Sequence, residues 1–209
     1  MEQFDREHQA ALDAAHSGGT RDPEAIADAG RLDRKGWSWP DYRPLVALAA
    51  DRGLRILAAN VSREDIRALA KSGRVFDGLP PVPADLRARL EEEIVAGHCG
   101  FRPPPGTLAG MVEAQRARDA QMAAALERGG DAGAVLIAGA GHARRSHGAP
   151  AYLSQAARAS LLVVAFVEVD PDRPDPSGYL KGTEYDIAWF TPRAVREDPC
   201  AAFQPPTGR

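Results

Sequence analysis

A short aliphatic run that breaks into glycines and then delivers a histidine and two arginines constrains this chain more than any other feature. Val135-Leu136-Ile137-Ala138 is followed by Gly139-Ala140-Gly141-His142-Ala143-Arg144-Arg145. A few consecutive aliphatics bounded by glycine read as a strand covered on both faces, and in open α/β sheets ligands bind just beyond the carboxyl ends of such strands. His142 therefore stands where chemistry is usually placed. Two familiar glycine-loop readings fail. Arg144 occupies the third-glycine position of the dinucleotide fingerprint, and no Lys-Ser or Lys-Thr follows to make a phosphate loop. The plain alternative is a tight strand-to-helix turn carrying an exposed histidine.

The rest of the chain reads as alternating helices and strands. Helices are expected at 4–16, 23–34, 45–51, 84–96, 107–128 and 150–159, with a further one opened by Ser62 and Asp65 in a capping-box-like pair. Asp22-Pro23-Glu24 supplies an N-cap and a first-turn proline for the second of these. Strands are expected at 54–60, 134–138, 161–169 and 185–190. The strand-turn-helix order predicts an α/β fold with a mostly parallel sheet flanked by helices. The last strand, joined to its predecessor without a clear helix, is expected to be antiparallel. Residues 1–193 read as one domain, with about 74–130 as a helical insertion or sub-domain and 194–209 as a weakly ordered tail. Gly78 and three prolines mark the stretch Val75–Pro83 as a linker or exposed loop.

The chain has 209 residues, 44% of them hydrophobic, enough for one sizeable core. Twenty-six basic against 29 acidic residues give a net charge of −3, so no global field recruits nucleic acid, and no basic stripe stands out. The longest apolar run, Leu161 to Val167, falls far short of the roughly 20 residues that span a bilayer. Met1-Glu2-Gln3-Phe4-Asp5 lacks the layout of a secretory signal, which places the chain as given in the cytoplasm. Cys99 and Cys200 lie far apart and suggest neither a metal-ligand spacing nor a disulfide framework.

Polar signals recur at predicted chain turns: Glu2-Gln3, His98-Cys99 and Gly141-His142. On the longest predicted helix, Leu108, Met111, Val112, Met122 and Leu126 form an inward stripe, and Gln115 and Asp119 fall on it. An unpaired carboxylate there would cost several kcal/mol, so Asp119 needs a partner such as Arg118, a histidine or a bound cation. Glu91-Glu92-Glu93 reads as a solvated face. His8, His16 and His147 read as surface residues.

Taken in order, Met1-Glu2-Gln3-Phe4-Asp5 with Gln9, the aromatic segment Trp37 to Pro44, Ala58-Ala59-Asn60 with Ser62-Arg63, His98-Cys99-Gly100, Gln115 with Arg118-Asp119 and Met122-Ala123, Gly139 to Arg144, and Trp189-Phe190-Thr191-Pro192 resemble the ChaN family of haem-binding iron-uptake proteins. That family is a branch of the Tiki and TraB superfamily. The resemblance implies haem as partner, with Trp37, Trp39 and Met122 walling a slot. His98, His142, Tyr42 or Cys99 would supply the axial ligand, Arg144 or Arg145 would meet the propionates, and Gln115 and Asp119 would face the site. Each aromatic has ordinary core packing as its alternative role.

A second reading, implied by peptidases of the Tiki group, is a metal-dependent hydrolase with zinc or manganese on Glu2, His98 and His142. A third is a truncated remnant without catalysis. Family members carry an earlier strand ending in a Gly-Glu-x-His motif, which has no counterpart here. The sheet edges thereby exposed predict poor solubility or homo-oligomers. Relatives are often exported and lipid-anchored, and this chain encodes no such anchor.

Overall fold

The computed structural model describes residues 1–72, 79–180, 184–196, 198, 200, 201 and 203. Its helices are α1 (Gln9–Ser17), α2 (Pro23–Ala29), α3 (Trp39–Asp51), α4 (Arg63–Ser72), α5 (Ala84–Gly97), α6 (Pro105–Glu127) and α7 (Gln155–Ala159). Two strands, β1 (Val164–Val169) and β2 (Ile187–Pro192), follow. No described helix is long and apolar enough to cross a membrane. Part of the expected linker, 75–78, and the end of the turn-rich stretch, 181–183, lie outside the described residues, as does 204–209 of the tail.

Local signals set most helix ends. The Asp22 carboxylate accepts from the Glu24 N–H at 3.0 Å, and Pro23 opens α2 where its missing donor costs nothing. The Ser62 hydroxyl accepts from the Asp65 N–H at 3.1 Å and starts α4. Helix α3 begins six residues before the expected 45, because Pro40 sits in its first turn, where proline is tolerated, and Pro44 gives up a single bond further in. The expected helix at 150–159 divides into a 3-10 turn, Ala149–Tyr152, and the short α7, whose N-cap Ser154 accepts from Ala157.

Helix α6 is the axis of the molecule. Leu108 and Val112 pack with Leu90 and Ile94 of α5, and Met122 packs with Ala59, Ala125 and Ala149. Burial wraps further round α6 than one stripe, taking in Glu113, Arg116 and Asp119. The first two neutralise each other at 2.8 Å, and Arg87 adds a second contact to Glu113, so neither charge is left alone in the interior.

The sheet differs from expectation in two ways. Strands β1 and β2 are parallel, with Val164 opposite Ile187 and Val169 opposite Pro192, which corrects the antiparallel assignment of the last strand. The connection 170–186 is long enough for a crossover, which parallel pairing requires, and its described residues include a short 3-10 turn, Pro176–Gly178. The expected strands 54–60 and 134–138 make no regular ladder. Residues 1–6 lie between them instead: the Met1 amino group donates to the Leu57 carbonyl, Ala59 N–H to Met1, Asn60 N–H to Phe4, and Glu2 N–H to Ile137. This inserted stretch turns into a 3-10 helix at Arg6, so the pairing extends only to one parallel bridge, Asp5 with Asn60.

Phe4 is fully buried and seats against Gly30 so closely that a β-carbon there would lie 2.3 Å from the ring. Phe4, Leu12, Ile26, Trp39 and Val46 form a core under α1 to α3, with Met1, Trp37 and Tyr42 packed on its margin. One face of the β pair stands open, with Phe166 71% and Trp189 62% exposed.

Candidate functional site

The glycine loop after Ile137 does bring chemistry together. The His142 N–H bonds the Gly139 carbonyl at 3.0 Å, and the His142 carbonyl accepts from Ala149 at 2.8 Å, which folds the loop back on itself. Gly148 makes the closure possible: a β-carbon there would lie 2.4 Å from the His142 carbonyl oxygen and 2.9 Å from the Arg144 nitrogen. The imidazole is thereby aimed inward at α6 and at the Met1–Phe4 segment.

There His142 Nδ1 lies 2.6 Å from Asp119 Oδ1, and its Nε2 lies 3.6 Å from Glu2 Oε1. The other Glu2 oxygen accepts from the Gly139 N–H at 2.7 Å. Asp119, Glu2 and His142 are 4%, 8% and 9% exposed, so the charges interact through little solvent. Histidine is thus the partner that the polar stripe on α6 required. Burial raises the Asp119 pKa above the usual carboxylate range. Burial also opposes charge on His142, but the hydrogen bond and charge of Asp119 outweigh it and raise the imidazole pKa. The two groups together hold a proton more tightly than a free imidazole does.

Tyr42 is half-buried, its ring edge-on to Trp37 at 5.8 Å between centroids. Burial first and the Glu2 charge second raise its phenol pKa, while the Gln3 amide acts to lower it. Gln3 is 4% exposed, and neither of its amide atoms has a well-formed hydrogen bond. Gln115 on α6 accepts from Arg118 at 3.0 Å.

Several expected site residues have other roles. His98 is exposed at the end of α5, its Nδ1 2.7 Å from the Ile94 carbonyl, outside the Glu2–Asp119–His142 group. Among the described residues no group of three or more His, Cys, Asp or Glu side chains could hold a metal ion, so Glu2, His98 and His142 do not assemble as a ligand set. Cys99 forms a disulfide with Cys200, which removes it as an iron ligand and overturns the expectation that the two cysteines are unrelated. The same bond ties down the tail at Cys200, and Phe203 lies against Phe101. Arg144 is committed to Glu93, and Arg145 to Asp186 and the Leu161 carbonyl. Met122 is fully buried, and Trp39 donates to Glu24 at 2.9 Å, so both serve the core.

A second polar cluster escaped the sequence. His147, expected on the surface, is buried, with Nδ1 2.6 Å from the Ser146 hydroxyl and Nε2 3.1 Å from Glu93. Glu93 therefore does not belong to a merely solvated run. Glu184 accepts from the Ser146 hydroxyl and N–H and from Arg89. Burial opposes its charge, but these donors prevail and hold its pKa down to about 2. The cluster pins the glycine loop to α5 and to the approach to β2. No motif spacing signals it, because its members come from three separate elements.

A family model described as haem-binding uptake, Tiki superfamily, ChaN matches residues 1–153. The chain belongs to this family. Among solved structures it is similar to the ChaN protein of Campylobacter jejuni, whose structure is described as showing cofacial haem binding. The two are 24% identical with a TM-score of 0.66, over 83% of this chain and 69% of that one, a likeness of fold. No curated protein matches the chain. In this ChaN-family fold, the matched region contains the glycine loop, α6 and the Met1–Phe4 segment, so the buried Glu2–Asp119–His142 group lies within it.

Proposed function

We propose that this chain binds haem beside Trp37 and Tyr42, above the Glu2–Asp119–His142 group, and serves haem handling in iron uptake. Family membership supports haem as the ligand, and the geometry supports Tyr42 as the residue that meets the iron. The observation that carries the assignment is the engagement of the other candidates. His142 has Nδ1 bonded to Asp119 and Nε2 facing Glu2, Cys99 is in a disulfide, and His98 lies outside the group. Tyr42 is half-buried, carries an oxygen donor and stands next to an aromatic ring, which suits a porphyrin edge and a ferric ion together. Bound haem would supply a ferric centre for which phenolate is a known axial ligand.

In this reading His142 and Asp119 are positioning residues. They fix Glu2 and the glycine loop beneath the slot, and their shared proton tempers the negative charge of the two carboxylates. The Cys99–Cys200 bond supports an oxidising compartment rather than the cytoplasm expected from the sequence. The open apolar face of β1 and β2 supports self-association.

Hemin titration of the purified chain tests the function. A saturable Soret shift is expected, with a phenolate-to-iron charge-transfer band that Tyr42→Phe abolishes. Absence of saturable binding overturns the reading; binding that survives in Tyr42→Phe with an unchanged spectrum removes Tyr42 as ligand.

A further inference from the structure

A cleft opens between the turn after α1 and the turn after α3. Its volume is about 70 Å³, room for roughly five to seven waters. Leu12, Ile26, Ala50 and Ile56, all members of the core around Phe4, form its floor. Protein interiors are close-packed, so a gap of this size over aliphatic side chains is out of keeping with the core beneath it. Leu54, 58% exposed, continues the apolar lining out to the surface. Gly19 and Gly53 on the rim have φ of +70° and +64°, and nothing lies within 4 Å of where a β-carbon on either would stand, so both turns leave the entrance clear.

The charge at the mouth has one sign. His16 and Arg21 line the cleft, and among the described residues no aspartate or glutamate does. Arg21 donates to the Ala50 carbonyl near the end of α3, which holds its guanidinium over the aliphatic floor. A guanidinium carries five N–H donors in a planar fork, so the same side chain can meet a carboxylate as well. An apolar recess with a fixed cation at its edge is complementary to a small molecule that has an alkyl tail and one negative end.

We propose that this cleft binds a short-chain monocarboxylate, its alkyl tail over Leu12, Ile26 and Ile56 and its carboxylate on Arg21. Neither Trp37 nor Tyr42 lines the cleft, so the inference does not rest on haem binding. The volume sets the class, because it admits about five to seven non-hydrogen atoms. Butyrate matches that size. An amine of the same length would bring its charge against Arg21, and an alcohol would forgo the charge-assisted bond.

The haem-free full chain, labelled at its methyl groups, is titrated with butyrate, 1-butanol and butylammonium and followed by NMR. Butyrate is expected to shift the methyl signals of Leu12, Ile26, Leu54 and Ile56 saturably, with a Kd of about 1 mM, an affinity within reach of so small a ligand. Butanol should bind about tenfold more weakly, the scale of one hydrogen bond to a charged group, and butylammonium should not bind. Arg21→Gln keeps a donor for Ala50 and removes the charge. It should weaken butyrate about tenfold and leave butanol unchanged, a split that loss of a merely structural contact would not produce. Leu54→Ser, at an exposed position where folding is not at stake, should weaken both ligands about threefold.

Absence of saturable shifts at these methyl groups would overturn the proposal. So would equal affinity for butyrate and butanol, or butyrate binding that both variants leave intact. Each of these results is read without hemin, so this inference and the haem reading stand or fall separately.

Discussion

Replacing Asp119 by asparagine keeps an oxygen beside His142 Nδ1 and removes the charge. In the native protein that bond is 2.6 Å long between two side chains roughly nine-tenths buried. A hydrogen bond to a charged group contributes about 1.5–3 kcal/mol against about 0.5–1.5 for a neutral one, so Asp119→Asn should cost about 1–2 kcal/mol. Asp119→Ala, which leaves His142 Nδ1 without its acceptor, should cost about 3–5 kcal/mol. The effect has a direction in pH. Both pKa values are raised by folding, Asp119 from 3.8 and His142 from 6.5, so the folded chain binds protons more tightly than the unfolded one. Stability from the imidazolium is fully present below 6.5 and is lost as pH rises through the raised folded value. In Asp119→Asn the burial that disfavours charge on His142 is opposed only by the more distant Glu2 carboxylate. Urea unfolding of wild type and variant should therefore give a gap that widens from pH 8.5 to pH 5.5. A gap that is constant, or wider on the alkaline side, would refute the reasoning.

Other outcomes follow from the same contacts. Gly148→Ala places a β-carbon 2.4 Å from the His142 carbonyl oxygen, an overlap with backbone that cannot rotate away, and should cost about 1–3 kcal/mol in urea unfolding. Reducing Cys99–Cys200 opens a loop with a sequence separation of 101 residues, and the urea midpoint should fall by the equivalent of about 4 kcal/mol. Serine at both Phe166 and Trp189 should lower light scattering at high protein concentration, because these rings dominate the open face of the β pair. Unchanged scattering would show that the face does not mediate association.

The elements legible in the sequence are those whose signals are local. Asp22-Pro23 and Ser62 set helix starts through neighbours two or three residues away, and the polar pair on α6 announced that Asp119 would need a partner. The glycine loop announced His142. What the sequence concealed depends on distant partners. Cys99 and Cys200 look unrelated until the tail returns to the corner between α5 and α6. His147 looks exposed until Glu93 and the loop close over it, and Arg144 looks available until the same Glu93 engages it. The direction of β2 could not be read because the connection 170–186 crosses over without helical periodicity. Helix α3 starts before the expected 45 because Pro40 occupies a first-turn position where proline fits and the helix tolerates Pro44 further in.

The central claim is that haem is held through Tyr42, with His142 locked beneath by Asp119 and Glu2. Parallel hemin titrations of wild type, Tyr42→Phe and His142→Ala, followed by absorption spectra, test it most directly. Loss of the phenolate-to-iron band in Tyr42→Phe, with that band retained at weaker affinity in His142→Ala, is the predicted result. A wild-type spectrum in Tyr42→Phe together with loss of coordination in His142→Ala would contradict the account.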